Sequence, residues 1–209
     1  MNYLQPSEYE TYGLDATTGQ AWVTAASAII DAHCKRITLG INQYTERLRT
    51  ENGRRPVQLS YLPLCAVAPA TTPIVSARGR YATPRRGELD YEAELWEIAM
   101  AFGIPGMWVN VDVANLDAFA ETGEVTLPVN VMGWAFTEIE VVYTAGFDPV
   151  PDKVKVACAQ LVKNAQATPA LNVKKNVAPD GMQFWYFADS LVDDMVRELL
   201  APFVAQKVG

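Results

Sequence analysis

The chain's changing periodicity predicts an α+β fold: a helical body, made of an N-terminal long helix plus two C-terminal helices, with a β-rich insertion between them. Three observations carry this. Residues 17–36 hold an apolar stripe at helical spacing, residues 37–145 alternate like strands between turn signals, and helical spacing returns after Pro151. Residues 1–36 and 146–209 then form the body, and 37–145 the insertion, which can stand as a small subdomain. With 209 residues, half of them hydrophobic, the chain has material for a sizeable core.

The first element is a short helix in "PSEYETYG", with Pro6 at its opening, Ser7 or Glu8 in its first turn and Gly13 as its stop. In the long helix that follows, Trp22, Ala25, Ala26, Ile29, Ile30 and His33 fall on one stripe, and Thr17 with Gln20 has the form of a capping box. From Ile37 the texture becomes extended. "ITLGINQYTERLR" and "PVQLSYLPL" flank "TENGRRP", whose Asn52-Gly53 pair predicts a hairpin joining two strands.

Further strands are predicted in "TPIVSARGRYAT", "GMWVNVDVA", "EVTLPVNV" and "WAFTEIEVVYT". In the last, Ile139, Val141 and Tyr143 share one face and Glu138 and Glu140 the other. "GELDYEAELWEIAMAFG" carries both periods and reads as a strand followed by a short helix. After Gly146, Pro151 and Asp152 open a helix whose stripe is Val154, Ala157, Cys158, Leu161, Val162 and Ala165, ending at Thr168-Pro169. The contiguous aromatics Phe184, Trp185, Tyr186 and Phe187 cannot all face one core, so they read either as a two-sided buried strand or as an interface anchor. A last helix starts near Ser190, with Ser190 and Asp193 as its capping box, and breaks at Pro202.

Charge is unevenly placed within a net −7. Lys35 to Arg86 holds ten basic and two acidic residues, whereas Gly87 to Asp152 holds thirteen acids and no base. Such blocks neutralise each other either within one fold or between neighbouring copies, and unlike faces suit head-to-tail association. Arg78, Arg80, Arg85 and Arg86 on one side and Glu88, Asp90, Glu92 and Glu94 on the other are the candidates for subunit-to-subunit pairing. The arginines lack interleaved aromatics, which weighs against a single-strand binder.

Residues able to do chemistry are sparse. His33 is the sole histidine and lies on an apolar stripe, where it reads as a packed side chain rather than a base. Cys34, Cys65 and Cys158 are far apart, in apolar surroundings, with no C-x-x-C pair, so they read as reduced thiols. No nucleophile elbow, phosphate loop or zinc-helix motif is present. The expectation is no catalysis, no catalytic residue, no metal and no cofactor, in a chain with no apolar run of membrane-spanning length.

The order of elements resembles the head-tail connector (adaptor) proteins of tailed bacteriophages. The residues that carry the resemblance are Tyr143, Gly146 and Phe147 in a Tyr-x-x-Gly-aromatic turn, then Pro151, Ala157 and Leu161. Leu199, Leu200, Pro202 and Phe203 follow near the end. "PSEYETYGL" and "TERLR" before "RRPVQLSYLPL" are also similar, while residues 76–135 have no counterpart.

The resemblance implies a structural virion protein in the neck. It would be a homo-oligomeric ring, usually of twelve copies, beneath the portal protein and above a tail-side neck protein, assembled in the host cytoplasm. Double-stranded DNA would pass through it without sequence-specific binding, and no membrane would be involved. Leu199, Leu200, Phe203 and Val204, with the aromatic anchors Trp185 and Tyr186, are the candidates for contact with the portal or a neighbouring subunit. Other readings stay open: a tail or neck completion protein, a small metal-dependent enzyme built around His33 and the acidic strand, or a nucleic-acid-binding module using the arginines.

Overall fold

The computed structural model describes residues 1–50, 56–81, 106–129, 136–167, 176–177, 183–184 and 191–205. It divides into two compact units, Met1–Gly40 with Phe147–Val204, and Ile41–Gly146 with Ala205–Gly209.

In the first unit, the opening segment forms two 3-10 turns, Pro6–Glu8 and Glu10–Tyr12, in place of one short helix. Tyr9 lies between them and is buried, and its carbonyl accepts from the Leu14 amide at 2.9 Å, so a core side chain interrupts the helical run. Helix α1 spans Gln20–His33. Thr17 does not cap it: its amide and hydroxyl both donate to Asp15 Oδ1, leaving Gly19 as an N-cap without a side-chain bond. Val23, Ala26 and Ile30 point inward while Trp22 is 46 % exposed, so the buried stripe is turned slightly from the one its spacing suggested.

Helix α2, Asp152–Ala167, buries Val154, Ala157, Cys158, Leu161 and Val162, as its spacing predicts. The small residues Ala26, Ala157 and Cys158 share the core in which α1 meets α2. Helix α3 spans only Asp194–Leu200, then tightens into a 3-10 turn, Ala201–Phe203, that contains Pro202. Its N-cap is Asp193, whose carboxylate accepts from the Val196 amide at 2.8 Å, so the helix begins later than a Ser190 cap would set it. Asn164 of α2 donates to the other Asp193 oxygen at 3.0 Å and to the Leu191 carbonyl at 3.2 Å, fixing α3 against α2.

The second unit is built of antiparallel strands. Its larger sheet has the order β1-β7-β3-β4, with β1 at Asn42–Arg49, β3 at Ile74–Arg80, β4 at Val109–Val111 and β7 at Glu138–Ala145. The smaller sheet, β2-β6-β5, consists of Pro56–Gln58, Glu124–Thr126 and Asp117–Ala118. Strand β7 alternates as predicted: Ile139, Val141, Tyr143 and Ala145 have essentially no exposed surface. They share one apolar cluster with Tyr44, Val57, Leu59, Val125 and Leu127, drawn from both sheets. The Tyr44 and Tyr61 rings stack at 4.0 Å, and the Tyr143 hydroxyl accepts from the Tyr61 amide.

Two expectations are corrected. The strands flanking Asn52-Gly53 are not hairpin partners, since β1 pairs with β7 and β2 with β6; non-local pairing of apolar faces prevails over a local turn signal. More broadly, the fold is not a helical body with an N-terminal long helix and a β-rich insertion. It is a sheet-rich mixed fold, with two antiparallel sheets of seven strands and, among the described residues, three α-helices that lie mostly toward the C-terminus. The physical reason is that the alternating strands close into sheets with a core of their own, while α3 makes only two turns before Pro202. A further two-stranded pairing joins β8, Asn176–Val177, to β9, Gln183–Phe184.

Candidate functional site

Two constellations stand out, one in each unit. In the first unit Phe147 opens the second chain segment. Its amide donates to the Leu39 carbonyl at 3.0 Å, and it forms a parallel bridge with Gly40. Its ring meets Phe203 edge to face, with centroids 5.3 Å apart and planes at 84°. The Pro151 carbonyl then accepts from the Val154 amide and begins α2. In the second unit Gly146 ends the run from β7 with φ of 140°, a conformation open to glycine and strained for other residues, while its amide donates to the Pro63 carbonyl.

The second constellation covers the outer face of the four-stranded sheet. Glu140 of β7 stands opposite Arg47 of β1 and Arg78 of β3, and Glu138 stands opposite Arg49 and Arg80. Arg47 Nε and Arg80 Nε each donate to a different oxygen of Glu138, and Arg78 pairs with Glu140 at 2.7 Å. Trp108, the residue before β4, completes the group: the guanidinium carbons of Arg47, Arg78 and Arg80 lie 5.2, 5.0 and 4.9 Å from its ring centroid. Cation–π attraction thus joins three arginines through one indole.

Glu138 is almost fully buried, and the hydrogen bond from Arg47 holds its carboxyl below the usual range, with Arg80 adding to the effect against the cost of burial. The same bond raises the Arg47 guanidinium further. The charge opposition read from the sequence is therefore met in part within the chain, at Arg78 and Arg80.

Tyr143 is buried in the sheet core. Leu200 and Phe203 are buried in the first unit's core, and Leu199 and Val204 are half-buried. Arg85, Arg86, Glu88, Asp90, Glu92, Glu94, Trp185 and Tyr186 lie outside the described residues, as does most of the aromatic run. His33 is half-buried at the end of α1. Cys34, Cys65 and Cys158 are free. Among the described residues no cluster of His, Cys, Asp and Glu could hold a metal ion, and no helix is long and apolar enough to cross a membrane.

Sequence reasoning missed Trp108, Arg47, Glu138 and Glu140 as one group. The signal for it was present: Arg47 with Arg49, Arg78 with Arg80 and Glu138 with Glu140 are each two apart, which places each pair on one strand face. No family model matches the chain, and no curated protein matches it.

Proposed function

We propose that the chain is a structural subunit of the head-tail connector type. It would form a homo-oligomeric ring in the neck of a tailed-phage virion, between the portal protein and a tail-side neck protein, around a passage for double-stranded DNA. The observation that carries this reading is the edge-to-face contact of Phe147 with Phe203. The resemblance rests on two separate stretches, the Tyr-x-x-Gly-aromatic turn and the late Leu-Leu-x-Pro-aromatic segment, and their terminal aromatics meet in one core. Residues spent on packing rather than chemistry suit a part that holds shape.

Burial divides the candidate contact residues. Leu200 and Phe203 are committed to the chain's own core, which leaves Leu199, Val204 and the exposed Met195 beside them for a portal or a neighbouring subunit. Charge supports a ring with unlike faces, through those members of the basic and acidic blocks that Glu138 and Glu140 do not neutralise. An acid-rich wall also suits a conduit, because it repels phosphates and lets DNA slide.

Negative-stain imaging and mass measurement of the purified chain, alone and mixed with a portal assembly, test the reading. Rings, or a monomer that forms them on the portal, are the expected result. A stable monomer that ignores the portal at low and moderate salt overturns it.

A further inference from the structure

The arginines and glutamates on the outer face of the four-stranded sheet form an ordered array. Arg47, Glu140 and Arg78 make one row across β1, β7 and β3; Arg49, Glu138 and Arg80 make the next. Standard strand spacing places the arginines of each row about 10 Å apart, and the rows about 7 Å apart. Among the described residues of these three strands, four guanidinium groups thus stand around two carboxylates, a local excess of positive charge on a chain whose total charge is −7.

The carboxylates also orient the arginines. Arg47 and Arg80 each turn Nε toward Glu138. Arg78 gives both Nε and a terminal nitrogen to Glu140. Arg49 is exposed and makes no ion pair among the described residues. A guanidinium held at Nε presents its outer edge as a fixed fork, the geometry that matches a phosphate.

Trp108 decides what kind of anion fits. An indole face is electron-rich and repels a carboxylate, so an acidic peptide gains nothing from it. An unpaired nucleobase gains stacking energy on an indole, whatever its identity; Trp108 is half-buried with the Arg47, Arg78 and Arg80 guanidiniums against its ring, so a base would share the ring with them. The arginines lack aromatics beside them in the sequence because the ring comes from the residue before β4, well removed from them along the chain.

We infer that this face binds single-stranded nucleic acid without sequence preference, with phosphates on Arg47, Arg49, Arg78 and Arg80 and a base stacked on Trp108. Binding of this kind requires no ring.

Fluorescence anisotropy with a labelled thymidine oligomer of about 15 nucleotides tests it on the full chain. Binding is expected at about 50 mM salt, falling steeply toward 200 mM. The exposed Arg49→Gln change, made together with Arg78→Gln, should flatten the log–log salt slope by about 0.7 for each arginine lost. Trp108→Leu should weaken oligomer binding on the order of tenfold, while Trp108→Phe retains most of it. Circular dichroism melts identify any variant that fails to fold, and Arg49→Gln alone provides a reading free of the Glu138 pairs.

Absence of oligomer binding at low salt overturns the inference and leaves the cluster a packing device. Equal affinity for a duplex of the same length, unaffected by Trp108→Leu, overturns it too, because phosphates alone would then be recognised. Tighter binding of a polyglutamate peptide than of the oligomer overturns it in favour of a protein partner.

Discussion

Phe147 packs edge to face on Phe203, joining the residue that follows the β7 turn to the 3-10 turn that follows α3. Phe203 is buried, and Phe147 packs against the same cluster as Leu200 and Leu161. Phe203→Ala is expected to lower stability by about 3 kcal/mol. A double-mutant cycle with Phe147→Leu should show a coupling of about 1 kcal/mol. Chemical denaturation measures both; full additivity would mean that the rings do not interact.

Glu138 offers a test by pH. Its folded carboxyl lies below the unfolded value near 4.3, so its pairs with Arg47 and Arg80 contribute in full above that value. The contribution is lost as pH falls through the lower, folded value. Glu138→Gln should cost about 1–3 kcal/mol at neutral pH, reduced from the cost of breaking a fully buried pair because Arg47 is half exposed. The gap between wild type and variant should narrow below about pH 4. Denaturant midpoints measured from pH 7 to pH 3 check it, and a gap that stays constant contradicts the assignment.

Gly79 allows the ring of Phe136 to lie directly on β3. A Cβ at this position would sit 2.5 Å from the Phe136 ring, which itself packs on Tyr81 with centroids 5.0 Å apart. Gly79→Ala should therefore destabilise by about 1–3 kcal/mol. In a Phe136→Leu background the same change should cost less, a dependence that thermal melts of the four proteins would reveal.

The thiols should differ sharply in reactivity. Burial pushes Cys34 and Cys158 up to about 11, and neither has exposed surface. Cys65 is half-buried in a loop. At pH 8 a disulfide reagent should modify Cys65 in the native protein and reach Cys34 and Cys158 only after denaturation. Rapid modification of all three would show that the first unit opens readily.

Local periodicity was a sound guide where one face of an element is buried and the other wet. The Ile139, Val141 and Tyr143 face of β7 and the Val154-to-Val162 stripe of α2 could be read directly, because burial imposes their period. Pairing was harder to read. Asn52-Gly53 is a local signal, whereas β1 finds β7 across most of the second unit through the contact of Tyr44 with Tyr143 and the charges opposite Glu138 and Glu140. Caps misled for a related reason: Thr17 has a nearer partner in Asp15 than any helix amide. The Trp108 cluster lay out of reach because its members come from three strands and the residue before a fourth, and meet only once register is set.

Strand β1 begins with Asn42 opposite Ala145, the last residue of β7, so the stretch between them starts and finishes on adjacent backbone. Just outside it, Gly40 and Phe147 form a bridge of their own. The two ends of this stretch are therefore held through each other: a substitution that frees Asn42 from Ala145 loosens the start of β1 and the finish of β7 together.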